Sequence, residues 1–152
     1  MKAPNVSLSF VSLFLNLQEI KFVIESGIRI EGFKELQYVT FPKLQTLKIP
    51  HQCPKPEYLM KFLEINGKNL TEVYIMRVSC RDLNSSIAKF CPNLKRLFMI
   101  FNYNELYALE TILDNCQYLE CIITCCGKEE ELSEKELLKA VANHSQENFS
   151  IL

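Results

Sequence analysis

The sequence predicts an α/β solenoid: a short right-handed arc of about five stacked units, with parallel strands on the concave face and helices on the convex face. Three observations predict it. Four nine-residue segments align without gaps, and an earlier copy precedes them. Their lead leucines recur at near-constant spacing. Between them run apolar stripes at helical spacing.

The segments are FLNLQEIKF (Phe14–Phe22), FPKLQTLKI (Phe41–Ile49), GKNLTEVYI (Gly67–Ile75), CPNLKRLFM (Cys91–Met99) and CQYLECIIT (Cys116–Thr124). Each reads x-x-x-L-x-x-h-x-h, with h apolar except at Thr124. The lead residues Leu17, Leu44, Leu70, Leu94 and Leu119 are separated by 27, 26, 24 and 25 residues. That period lies in the range of leucine-rich repeats. Each unit supplies a short strand whose alternate residues face inward, and a helix that returns the chain. One unit cannot bury its apolar face alone, so neighbours stack over a shared core. A sixth unit is expected to begin at Phe149.

The connectors follow in order. Ile28 to Leu36 holds Gly32 and no clean helical stripe, so this stretch is expected to be irregular or strand-rich. Pro54 and Pro56 precede Tyr58, Leu59, Phe62 and Leu63, a helical stripe with proline near the first turn. Leu83–Phe90 is a shorter helix with Ile87 and Phe90 inward. Leu106, Leu109, Ile112 and Leu113 form the next stripe, with Asn104 as N-cap. Ser133-x-x-Glu136 is a capping box before Leu137, Leu138 and Val141.

Composition narrows the function. The 152 residues carry 17 Lys+Arg against 18 Asp+Glu, a formal charge of −1. A nucleic-acid surface needs a clustered basic excess, which this balance argues against. No apolar run approaches the roughly 20 residues of a membrane span. The stretch Val6–Leu17 is interrupted by serines and lacks a small-x-small cleavage site. Seven cysteines without scaffold spacing read as reduced, packing side chains of an intracellular protein, cytoplasmic or nuclear. Five Asn-x-Ser/Thr sequons, at Asn5, Asn69, Asn84, Asn143 and Asn148, keep open the alternative of an exported, glycosylated recognition domain.

At Cys91-Pro92-Asn93-Leu94-Lys95-Arg96-Leu97 the chain resembles the cysteine-containing repeats of F-box proteins, with close variants at Phe41–Leu47 and Asn115–Cys121. The texture resembles an expanded fungal family of such proteins, and the likeness runs from Phe14 to Thr124. It implies one leucine-rich-repeat domain over 1–152, shortened at both ends, since no F-box is visible before Phe14. It further implies a substrate-recognition role in a cullin-RING ubiquitin ligase, with a Skp-type adaptor engaged only if an F-box lies upstream. A non-functional fragment of such a gene is a further alternative. The family's ninth repeat position is commonly Asn or Cys. Here it holds Glu25, Gln52, Val78, Asn102 and Gly127, and only Asn102 fits.

Candidate chemistry is sparse. Cys116, Cys121, Cys125 and Cys126 cluster, but without the C-x2-C pairs of a zinc knuckle. His51 with Cys53, and His144 with Ser145, lack an orienting third group and an oxyanion donor. Gly67-Lys68 lacks a phosphate-binding glycine loop. The expectation is a chain with no catalytic residues, no metal and no cofactor. A surface is the better candidate. With the lead leucine as position one, positions three, five and seven point away from the core. They are Glu19, Lys21, Val23; Thr46, Lys48, Pro50; Glu72, Tyr74, Met76; Arg96, Phe98, Ile100; and Cys121, Ile123, Cys125. Tyr74, Phe98 and Ile123 are expected to line up across neighbouring strands. With Lys48 and Arg96 they form the proposed binding surface for a protein substrate, since aromatic and arginine side chains favour hot spots.

Overall fold

The computed structural model describes residues 7–23, 32–50, 54–76, 81–125, 132–144 and 150–151. Strands and helices alternate along the chain. They are β1 (Glu19–Lys21), α1 (Phe33–Leu36), β2 (Thr46–Ile49), α2 (Pro56–Asn66), β3 (Glu72–Ile75), α3 (Arg81–Phe90), β4 (Arg96–Phe98), α4 (Leu106–Asn115), β5 (Cys121–Ile123), α5 (Glu134–His144) and β6 (Ser150–Ile151). A 3-10 turn at Ser9–Leu13 precedes β1, and another at Gly67–Asn69 follows α2. All strands are parallel and lie in one sheet in chain order. The helices pack on their chain neighbours, α1 on α2 through α4 on α5.

The register answers the repeat. Ile20, Leu47, Val73, Leu97 and Ile122 stand opposite one another across five strands. Each lies three residues after its lead leucine, so the five leucines occupy equivalent places. Leu44, Leu70 and Leu94 are completely buried, Leu119 nearly so, and Leu17 packs against the core from the end of the sheet. A one-residue slip would have turned every inward side chain outward. Ile151 pairs with Ile122 in the sixth strand, and Phe149, where a sixth unit is expected to begin, lies outside the described residues.

Local turns repeat with the leucines. The lead N–H donates to the carbonyl three residues earlier in every unit: Leu17 to Phe14, Leu44 to Phe41, Leu70 to Gly67, Leu94 to Cys91 and Leu119 to Cys116, all between 3.0 and 3.3 Å. The next carbonyl along then accepts two N–H groups from the following unit. Gln18 O takes Gln45 and Thr46, Gln45 O takes Thr71 and Glu72, Thr71 O takes Lys95 and Arg96, and Lys95 O takes Glu120 and Cys121. A carbonyl has two lone pairs, so both bonds are satisfied at one atom.

Asparagines tie the turns together on the other side of the leucines. Asn66, fully buried, accepts from the Phe41 N–H through Oδ1 at 2.7 Å and donates to Val39 O at 2.8 Å. Asn93 Nδ2 donates to Lys68 O at 2.8 Å, and Asn115 Nδ2 to Ala88 O at 3.3 Å. Each reaches back by one unit. Of the ninth repeat positions, 25, 52, 78 and 127 lie outside the described residues. Asn102 is described, and its N–H donates to the Glu105 carboxylate at 2.9 Å.

The helices follow their stripes. Pro56 opens α2, where its missing N–H costs nothing, and Leu59, Phe62 and Leu63 turn inward. Leu83, Ile87 and Ala88 are the buried apolar residues described along α3, with Phe90 half-buried at its end. The Ser133–Glu136 capping box forms: Ser133 Oγ donates to Glu136 Oε2 at 2.6 Å and accepts from the Glu136 N–H at 3.3 Å. Two expectations change. Asn104 is an exposed turn residue, and Glu105 takes the N-cap place of α4, held there by its own bond to the Asn102 N–H. In the first unit the stretch expected to be irregular or strand-rich holds a single helical turn, α1. Phe33 there anchors a chain of rings with Phe22, at 5.7 Å between centroids, and Phe62, at 5.3 Å. Residues 24–31 lie outside the described part.

Gly67 sits where other units carry Phe or Cys. A Cβ there would lie 2.5 Å from Phe90 O and 3.0 Å from Cys91 Sγ. The next unit fills that space. Gly67→Ala is therefore expected to cost about 1–3 kcal/mol through overpacking, read as a lower urea midpoint.

Two buried asparagines predict opposite signs. Asn66→Ala strands the Phe41 N–H and the Val39 C=O, and should destabilise by about 1–3 kcal/mol. Asn84 on α3 is fully buried, and its amide has no partner among the described residues. Asn84→Leu removes an unmatched polar group and should stabilise by about 1 kcal/mol. Paired urea denaturation curves would read both. A midpoint lowered by Asn84→Leu would contradict the account of that site.

Candidate functional site: the outer face of the sheet

The two faces of the sheet differ because side chains alternate along each strand. Positions four and six supply the core: Leu47 with Ile49, Val73 with Ile75, Leu97 with Met99. Positions three, five and seven form the other face, as expected, with one correction. Cys121 is only 7% exposed. The register has not flipped there, since Ile122 is fully buried on the core side. A short thiol side chain between two neighbouring strands, β4 and β6, does not rise above the sheet.

The structure brings four of the five expected binding residues into one row. Lys48, Tyr74, Phe98 and Ile123 are successive register partners at position five. The rings of Tyr74 and Phe98 stack, with centroids 4.1 Å apart and planes 17° from parallel. Parallel strands set side by side at one register hold such rings face to face. The Tyr74 hydroxyl donates to Met76 Sδ at 3.1 Å, which pins the ring toward the position-seven side. Arg96 lies in the adjoining position-three row, exposed, with Glu72 and Cys121 in register on either side.

Sequence reasoning did not single out the partners of Lys48. Its Nζ lies 3.4 Å from Glu19 Oε1 and 3.4 Å from Glu72 Oε1, so one lysine bridges carboxylates of the two neighbouring strands. Partial burial works against its charge. The Glu72 carboxylate and the hydrogen bonds to Glu19 and Glu72 outweigh it, and the Lys48 pKa lies above the ordinary lysine value. The signal was present as position three of units one and three flanking position five of unit two, but only the pairing of strands makes those residues neighbours.

The thiols divide in two. Cys91 and Cys116 begin consecutive units and lie inside the stack; the Cys116 thiol donates to Cys91 O at 3.3 Å. Burial pushes both thiol pKa values up, Cys116 to about 12 and Cys91 further. Cys125 is half-exposed at the end of β5. Cys126, His51 and Cys53 lie outside the described residues. His144 Nδ1 lies 2.7 Å from Asp114 Oδ1, joining the end of α5 to α4 at the surface. Among the described residues no group of three metal-ligating side chains converges, and no helix is long and apolar enough to cross a membrane.

The site thus consists of a stacked aromatic pair, flanking aliphatic side chains and an exposed guanidinium, on one parallel sheet. It can bind apolar and carboxylate groups by contact. No protein-family model matches the chain, and no curated protein matches it.

The thiol environments make a direct prediction. Iodoacetamide at pH 8 should modify Cys125 in the native protein and spare Cys91 and Cys116, which should react only after urea is added; peptide mass mapping reads this. The pH dependence has a definite sign. A thiol whose folded pKa is raised favours the folded state fully below its unfolded value of 9.0, and that stability is lost as pH climbs toward the folded value of about 12. The urea midpoint should therefore fall between pH 9 and 11.

Proposed function

We propose that the chain is a leucine-rich-repeat solenoid and acts as a non-catalytic protein-binding module through the outer, concave face of its sheet. The observation that carries this reading is the stacked Tyr74–Phe98 pair, continued by Ile123, standing on the solvent side of the strands. These apolar side chains are contiguous and lie opposite the face that supplies the core. A row of this kind on a rigid surface suits partner recognition.

The repeat supports the solenoid. Five lead leucines make the same turn, six strands pair in chain order, and the helices pack on their chain neighbours. The resemblance at Cys91–Leu97 extends the proposal to substrate recognition of the F-box type within a cullin-RING ligase, in the cytoplasm or nucleus. A Skp-type adaptor would be engaged only if an F-box lies upstream of these repeats. The exported, glycosylated alternative loses one of its acceptor sites, because the Asn84 side chain is enclosed. Asn69 also spends its amide nitrogen on Phe41 O, at 3.3 Å.

Affinity capture from cell extract tests the reading with three baits: the wild-type chain, Tyr74→Ala/Phe98→Ala, and Tyr107→Ala on the exposed side of α4. Circular dichroism confirms folding of each. The expected outcome is a set of proteins retained by the wild type and by Tyr107→Ala and lost from the double variant. Equal retention by all three would overturn the assignment of the binding face.

A further inference from the structure

The outer face is unequal from end to end. Toward β1, charge is internally matched, since Lys48 is held between Glu19 and Glu72. Toward β5 it is apolar, with Phe98 half-buried against Tyr74 and Ile123 next in register. Arg96 stands at the boundary. Its neighbour in register, Glu72, has its carboxylate 3.4 Å from Lys48, and its other neighbour is Cys121. Among the described residues no ion pair or hydrogen bond engages the Arg96 guanidinium. It is two residues from Phe98 on the same side of the same strand, about 6.6 Å along the chain.

From this placement we propose that the partner presents an extended segment in which an aromatic or large aliphatic side chain lies one or two residues from an Asp or Glu. The apolar side chain rests on Phe98 and Ile123. The carboxylate pairs with the Arg96 guanidinium, whose planar fork donates two parallel hydrogen bonds to the carboxylate oxygens. The complementarity is specific in sign. The face carries Lys21, Lys48 and Arg96 against Glu19 and Glu72, so a basic segment would meet two carboxylates and an unmatched cation. A nucleic acid would bring several phosphates to the same two carboxylates. This inference rests on the strand-face reading and adds the chemistry of what binds there.

Displayed random 12-residue peptides provide the test, selected against the purified full chain and against folded Arg96→Glu, Arg96→Gln and Phe98→Ala variants. Wild-type selections should be enriched in Asp or Glu within two residues of Phe, Tyr, Leu or Ile. Those peptides should bind Arg96→Gln about tenfold more weakly or worse, in keeping with the loss of a charged hydrogen bond. Selections against Arg96→Glu should exchange the acidic preference for Lys or Arg. Peptides that require Phe98 but show no acidic preference, or bind Arg96→Gln as well as wild type, would overturn this inference and leave the strand-face reading standing. Selections that ignore Phe98→Ala, or no selected binders at all, would overturn both.

Discussion

One backbone arrangement governs the rest of the structure. At the start of each unit a carbonyl accepts two N–H groups from the unit that follows, at Gln18, Gln45, Thr71 and Lys95. This pair of hydrogen bonds sets the register of the strand pairs from β1–β2 to β4–β5, because the chain leaves the turn with its first strand residue already placed. The lead leucine beside it is buried in the stack at Leu44, Leu70 and Leu94, and packs against the core at Leu17. Parallel strands have no hairpin to set their pairing. Here the repeated turn takes the place a hairpin has in antiparallel sheets.

From that register the two faces follow. Leu47, Val73, Leu97 and Ile122 must point the same way, and Lys48, Tyr74, Phe98 and Ile123 must point the other. The Tyr74–Phe98 stack is thus a product of the backbone ladder more than of any attraction between the rings, although the pair gains from contact once formed. The bridge from Glu19 through Lys48 to Glu72 has the same origin. Exposed ion pairs contribute little stability on their own. Its larger effect is to leave the β1–β2 end of the face without surplus charge and Arg96 as the cation next to the aromatic end.

The core shows how a degenerate repeat tolerates variation. Position six holds Ile49, Ile75, Met99 and then Thr124, whose hydroxyl is enclosed without a partner among the described residues. The residue three before each leucine is Phe, Phe, Gly, Cys and Cys, and each choice depends on what the next unit places against it. At Gly67 that is the backbone of Phe90. Variation is absorbed between adjacent units, because each one contacts few others. Backbone groups at the turns are less forgiving, and Asn66, Asn93 and Asn115 satisfy carbonyls of the preceding unit.

The period of the leucines and the alternation after them were legible in the sequence, and so was the division of the strand residues into inner and outer sets. These are local properties: a strand alternates its side chains wherever it lies, and a repeated turn carries its own hydrogen bond. Capping at Ser133 was legible for the same reason, since both partners lie within four residues. What joins residues 24–28 positions apart was decided only by tertiary packing. Lys48 finds Glu72, Asn66 finds Phe41, and Cys121 sinks between its neighbours, each because the stacking of one unit on the next brings those atoms together. A sequence states which side chains a strand offers to each face; the distance between strands, and whatever then stands beside each side chain, exists only after the units have stacked.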